Sequence, residues 1–122
     1  MRILYVEDQE YLRETICLLL EAPDREIVAV GSAESALQAL LAQPEDRFDL
    51  LITDVSLPGA SGIELARRAR QRLPSLWVVL MSGYTFADQV HEFGERSAAL
   101  SKPFDADQLD ALIERIQAEL RD

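Results

Sequence analysis

Only one cysteine, Cys17, stands among the 122 residues, so a disulfide framework is excluded. Set among Ile16, Leu18 and Leu19, it reads as core packing. The only histidine, His91, has no second His or Cys near it and reads as an exposed helical residue. No apolar run approaches the ~20 residues a membrane span requires. Met1 leads into Arg2-Ile3-Leu4-Tyr5-Val6, which Glu7-Asp8 cuts too short for a secretory signal. Basic residues are scarce, 12 against 22 acidic ones, for a formal charge of −10. Such a surface repels phosphate backbones and anionic lipid, so neither direct nucleic-acid binding nor membrane insertion is expected. Neither a P-loop nor a GxGxxG follows the first apolar run, which disfavours a nucleotide module. No repeat, low-complexity stretch or linker divides the chain, so residues 1–122 are expected to form one domain. The lone thiol points to a reducing cytoplasm.

What is present suffices for a core. Hydrophobic residues make up 48% and charged residues 28%, and a domain of this size buries roughly two-thirds of its unfolded surface. Five short apolar runs, Arg2–Glu7, Glu26–Val30, Phe48–Thr53, Leu76–Met81 and Ala98–Ser101, alternate with helix-like stretches. Leu50-Leu51-Ile52 and Val78-Val79-Leu80 show no polar alternation, so both faces of those strands should be covered. Leu12, Ile16 and Leu19 mark a stripe on a first helix that ends before Pro23; Ser32 and Pro44 bound a second. Arg67, Arg68, Arg70 and Arg72 read as a solvated face of the third. Phe86, Val90 and Phe93 weakly mark a fourth, and Leu109, Leu112, Ile113, Ile116 and Leu120 line one face of the last. Asp105 three residues before Gln108 is a capping-box start for that helix. Trp77 should pack beneath a helix. The alternation predicts an α/β fold, a parallel sheet with helices on both faces, and ligands of such sheets sit outside the carboxyl ends of the strands.

At those ends stand Glu7-Asp8, Asp54, Ser82 and Lys102-Pro103. Taken singly each has a plain explanation: Asp8 as a helix cap, Asp54 and Ser82 as turn residues, Lys102 as a solvated loop lysine. Found together at four strand ends, they point to a site. Three carboxylates on one edge repel one another unless a cation sits among them, and hard oxygen ligands suit Mg²⁺. One carboxylate is then free to attack a phosphoryl group, whose oxygens metal, ammonium and hydroxyl can hold.

Glu7-Asp8, Asp54-Val55-Ser56-Leu57-Pro58 with Gly62, Ser82-Gly83 and Lys102-Pro103-Phe104 together resemble the receiver domain of bacterial two-component response regulators. The resemblance covers essentially the whole chain. It implies a flavodoxin-like, doubly wound sheet of five parallel strands in the order 2-1-3-4-5 with five helices. It further implies that Asp54 accepts a phosphoryl group from a phosphohistidine on a histidine kinase or histidine phosphotransfer protein. By the same resemblance Asp8 holds Mg²⁺ directly, Glu7 through water, and Ser56 through its backbone carbonyl. Lys102 and Ser82 would bind the phosphoryl oxygens, and Pro103 would fix the loop carrying Lys102. The fourth helix, last strand and last helix would form the surface that changes on phosphorylation and meets a downstream protein target.

One position departs from the family. Ala99 stands three residues before Lys102, where family members often carry the Tyr or Phe that turns inward on activation. Tyr84 is the nearest aromatic to Ser82 and the first candidate to replace it, with Phe86 and Phe104 behind it. A stand-alone receiver is the expected form, and Met1 reads as a natural start. A receiver excised from a hybrid histidine kinase or longer regulator fits the same residues. A Mg²⁺-dependent aspartyl phosphatase fits less well, because Ser56 stands where a second acid is wanted and no insertion is long enough for a cap. A receiver that works without phosphorylation is opposed by Asp8, Asp54 and Lys102. No turnover enzyme is expected beyond self-catalysed phosphotransfer and slow loss of the phosphoryl group.

Overall fold

A computed structural model describes residues 1–42, 48–82, 93–102 and 104–121. The strands β1 (Arg2–Val6), β2 (Glu26–Val30), β3 (Leu50–Asp54), β6 (Trp77–Ser82) and β7 (Ser97–Ser101) form one parallel sheet in the order β2-β1-β3-β6-β7. A small antiparallel pair, β4 (Ser56–Leu57) and β5 (Ala60–Ser61), lies apart from it. With that pair set aside, the order is the expected 2-1-3-4-5. The described helices are α1 (Glu10–Leu20), α2 (Ala33–Ala42), α3 (Gly62–Arg72) and α4 (Ala106–Arg121). Of the residues that mark the expected fourth helix, Phe93 is described and lies buried in a turn ahead of β7, whereas Phe86 and Val90 lie outside the described residues, as do Pro44, Gly83, Tyr84, His91 and Pro103.

The unbroken apolar runs have the physical cause the pattern implies. Successive side chains of a strand point to opposite faces, and here each face carries helices. Leu4, Val6, Leu51, Val78 and Leu80 pack with Leu40 of α2 and Leu65, Ala66 and Ala69 of α3. Ile3, Tyr5, Leu50, Ile52, Trp77, Val79 and Met81 pack with Ile16 and Leu20 of α1 and Leu109, Ile113 and Ile116 of α4. Each such fully buried large side chain contributes about 1.5–3 kcal/mol. Trp77 does lie beneath a helix layer, and Cys17 is half-buried against the same cluster.

Several local signals hold and a few move. Ser32 Oγ accepts the Ser35 N–H at 3.1 Å, and Asp105 and Gln108 exchange hydrogen bonds of 2.7 and 2.9 Å at the start of α4. The first turn of α1 is different: its N-cap is Gln9, which makes no side-chain cap, so Asp8 is left for other work. The buried stripe of α1 is Ile16 and Leu20 with Leu12 partly buried, a spacing of four, whereas Leu19 is 40% exposed. Strand β3 begins at Leu50, after Phe48 and Asp49, and β6 runs one residue further than expected, through Ser82. The arginines of α3 are also not a uniform solvated face. Arg67 and Arg68 pair with Glu64 at the surface, but Arg70 and Arg72 donate to backbone carbonyls of other elements.

Candidate functional site

The parallel order and register bring the strand ends together. Val6 registers with Thr53, Asp54 with Met81, and Ser82 with Ser101, so Glu7, Asp8, Asp54, Ser82 and Lys102 share the carboxyl edge of the three inner strands and β7. The backbone there is closely held. Val55 N–H donates to Met81 O, and Lys102 N–H donates to Ser82 O at 2.7 Å. Gly62 N–H donates to Val55 O at 2.7 Å, and a Cβ on Gly62 would lie 1.7 Å from the Asp54 carbonyl oxygen. Only glycine lets α3 start this close to the strand that carries Asp54. The other acid is fixed from two sides, since Glu7 N–H donates to Val30 O and Arg13 Nη1 donates to Glu7 O at 2.8 Å.

The side chains converge. Lys102 Nζ lies 2.7 Å from Asp54 Oδ2 and 3.8 Å from Glu7 Oε1. One carboxylate oxygen from each of Glu7, Asp8 and Asp54 lies within 4.8 Å of the other two. Burial differs sharply among them: Glu7 is 1% exposed, Asp54 is half-buried and Asp8 faces solvent. Burial pushes the Glu7 carboxyl above its ordinary range, and Asp8 and Asp54 add to the shift. The Gln9 N–H, bonded to Oε2 at 3.2 Å, and Lys102 pull the other way. Glu7 Oε1 is buried with no hydrogen-bond partner among the described residues, the 3.8 Å approach of Lys102 being too long for one.

This donor set fits a hard divalent cation. All three groups offer carboxylate oxygen, one oxygen is buried without a partner, and solvent access at Asp8 leaves room for the waters that Mg²⁺ retains. Of the other expected participants, Ser82 is buried as the last residue of β6. Ser56 is exposed in β4, two residues beyond Asp54. Ala99 is exposed in β7, in register with Leu80, and Phe104 is half-buried against the α1 and α4 side of the core. Tyr84 and Phe86 lie outside the described residues.

Two residues of this edge escaped the sequence reading. Arg13 gave no signal, because its contact is with a backbone carbonyl six residues away. Tyr5 was legible in principle, since the period of two puts it on the same face as Glu7. It is fully buried and its hydroxyl has no hydrogen-bond partner among the described residues. Burial first, then the Glu7 charge, pushes that hydroxyl well above the ordinary range, so it keeps its proton.

Comparisons with known proteins give the family and the fold. The sequence profile of the response regulator receiver domain matches residues 3–114. The response regulator protein FleR of Pseudomonas aeruginosa is 40% identical over 116 residues, 93% of this chain but 24% of that protein, so the chain spans about a quarter of FleR. The sporulation initiation phosphotransferase F of Bacillus subtilis is 34% identical over 88% of this chain and 86% of its own length. Among solved structures, a receiver domain protein from Clostridium thermocellum superposes with a TM-score of 0.84 at 24% identity, covering 98% of this chain and 96% of that one, which shows the fold. The receiver domain of the hybrid histidine kinase CckA gives 0.79 at 30% identity, over 95% of this chain and 98% of that one. With the profile spanning most of its length, the chain belongs to the response regulator receiver domain family.

Proposed function

We propose that Asp54 is the phosphoacceptor of a receiver in a two-component phosphorelay, one domain over residues 1–122. The family and its relatives support a phosphoacceptor role in two-component signalling. The observation that carries the residue assignment is the 2.7 Å pair of Lys102 Nζ and Asp54 Oδ2, set beside three carboxylates at one sheet edge. A carboxylate oxygen of Asp54 attacks the phosphorus of a phosphohistidine, and the P–N bond breaks with its electron pair passing to the imidazole nitrogen. Lys102 pairs with the phosphoryl oxygens as charge spreads over them, and the Ser82 hydroxyl donates to another. Asp8, Asp54, Glu7 and the Ser56 backbone carbonyl would hold Mg²⁺, Asp8 directly and Glu7 through water. When bound, Mg²⁺ would supply charge neutralisation at the acids and at the phosphoryl oxygens.

The donor in this reading is a histidine kinase or histidine phosphotransfer protein, and the output is a changed affinity for a downstream protein. The single thiol suits work in the reducing cytoplasm; none of the described helices is long and apolar enough to cross a membrane. The chemistry is one self-catalysed transfer per phosphoryl group, without turnover of small substrates. Ala99 offers only a methyl group to the aromatic's task, which passes to another side chain. Tyr84 is the first candidate, and unchanged phosphoryl lifetime and partner affinity in Tyr84→Ala would remove it.

Incubation with Mg²⁺ and acetyl phosphate, followed by intact mass, tests the assignment. A phosphate-sized increase is expected, absent without Mg²⁺ and absent in Asp54→Asn. A lasting adduct on Asp54→Asn, or steady hydrolysis of many phosphomonoesters, would refute it. A phosphohistidine protein serves as the second donor.

A further inference from the structure

The two acids at the end of β1 are neighbours in the chain, and the single peptide between them sets how they face each other. Glu7 is buried and Asp8 is exposed, yet a carboxylate oxygen of each lies within 4.8 Å of the other. A turn of that peptide plane would swing Asp8 away from Glu7 and Asp54. A capping side chain commonly pins such a turn, but Gln9, the N-cap of α1, makes no side-chain cap bond. Instead the helix reaches back. Arg13, in its first turn, is half-buried, and its Nη1 donates at 2.8 Å to the Glu7 carbonyl, the oxygen of the Glu7–Asp8 peptide. A glycine on the neighbouring strand end leaves the space for it. Gly31 follows Val30, whose carbonyl accepts the Glu7 N–H at 3.0 Å. A Cβ on Gly31 would lie 3.0 Å from Arg13 Nη1 and 3.9 Å from Glu7 O.

We propose that Arg13, seated in the gap at Gly31, is a positioning residue for the cation site: its bond to the Glu7 carbonyl fixes the Glu7–Asp8 peptide and so holds the two acids at the spacing a divalent cation needs. The inference rests on the reading of Glu7 and Asp8 as Mg²⁺-binding acids. A charged donor makes a stronger hydrogen bond than a neutral one, which suits a strap that must hold against repelling carboxylates. Arg13 also works from behind the site. Lys102 pairs with Asp54 and stands near Glu7, so it shares the charge a cation would meet. Arg13 forms no ion pair with any of the three acids among the described residues, and its bond goes to backbone oxygen. It therefore orders the acids without competing for them. Outer partners of this kind orient a metal's ligands and set affinity without touching the ion.

The test is the Mg²⁺ affinity of the whole chain, read by isothermal titration without a phosphoryl donor, at a temperature where every variant is folded. Arg13→Met keeps the apolar stem and removes the donor, and its affinity should fall about tenfold. Arg13→Lys restores a donor and should recover part of that loss, which packing of the stem alone would not do. Gly31→Val presses on the guanidinium without altering an acid. It should weaken Mg²⁺ binding in wild type and add nothing in the Arg13→Met background. Wild-type affinity in Arg13→Met, or equal losses in Arg13→Met and Arg13→Lys, would overturn the role of Arg13. So would a Gly31→Val loss that persists in full in the Arg13→Met background. Asp8→Asn separates this failure from that of the metal reading: it should bind Mg²⁺ weakly, and undiminished affinity there would overturn both. Without metal, the NMR resonance of the Glu7 carbonyl carbon should move in Arg13→Met; an unmoved resonance counts against the bond itself.

Discussion

At the scale of single residues, the site is set by how little room and how little solvent its parts are given. Gly62 shows the first. A methyl group there would lie 1.7 Å from the Asp54 carbonyl oxygen, which is backbone and cannot swing away. Gly62→Ala should therefore destabilise the fold by about 3 kcal/mol or more, and it should shift the Asp54 amide in the NMR spectrum. A urea midpoint within error of wild type would show that α3 can move off the strand. Glu7 shows the second. Its carboxyl is raised by burial first, with Asp8 and Asp54 adding and the Gln9 N–H and Lys102 opposing. A group whose folded pKa exceeds its unfolded one stabilises fully below the unfolded value and loses that contribution as pH rises through the folded value. In EDTA, then, wild type should lose melting temperature relative to Glu7→Gln as pH climbs above about 4.5. Mg²⁺ should recover the difference by giving the ionised carboxylate a counter-charge. Calorimetry across that pH series checks both signs.

At the scale of elements, the α3 arginines divide by what their guanidinium groups reach. Arg70 donates to Leu76 O at 2.6 Å, Phe93 O at 2.8 Å and Arg96 O at 2.6 Å, and sits 5.8 Å from the Phe93 ring centroid. One side chain thus ties α3 to the entry of β6 and to the turn that feeds β7. Hydrogen bonds from a charged donor contribute more than neutral ones, so Arg70→Ala should lower stability by about 2 kcal/mol. Arg70→Lys should not restore it, because an ammonium lacks the planar fork that serves three carbonyls. Urea unfolding measures the loss, and faster exchange of the Val78 amide, which donates to Arg96 O, locates it. None of this was legible in the chain, since each partner is fixed only by tertiary structure. Elements with a strong local cause were legible: the unalternating runs of β3 and β6, Ser32 before α2, and Asp105 paired with Gln108. Their limits moved where a residue had another task. Asp49, placed within a strand by its apolar neighbours, instead accepts the Arg2 N–H at 2.8 Å, and Phe48 lies under the Arg2 guanidinium. The β4–β5 pair has two-residue strands joined through Gly59 at φ +68°, too short for any period to show. The acids and Lys102 were legible because the topology sends strand ends to one edge; the packing that fixes them, through Gly62 and Arg13, was not.

At the scale of the whole molecule, one sheet serves two apolar layers, and this couples the site to the fold. The inner strands β1, β3 and β6 contribute alternate residues to each layer, so loss of one layer should weaken the other. The edge strand β2 differs, with its first residue exposed and the rest only half-buried. Truncation should register that difference. Ile52→Ala removes a fully buried side chain one residue from Thr53 and two from Asp54, and should cost about 3–4 kcal/mol. Val28→Ala, on the half-buried edge, should cost about 1 kcal/mol. Trp77, the only tryptophan, is buried on the α1 and α4 side and reports that layer alone, whereas far-UV circular dichroism reports all the helices. If the shared strands make the layers one unit, both signals trace a single urea transition in wild type and in both variants. Separate midpoints, with tryptophan emission shifting before or after the helical signal, would mean that the layers unfold independently. The acids on β1 and β3 would then be held by less than the whole fold.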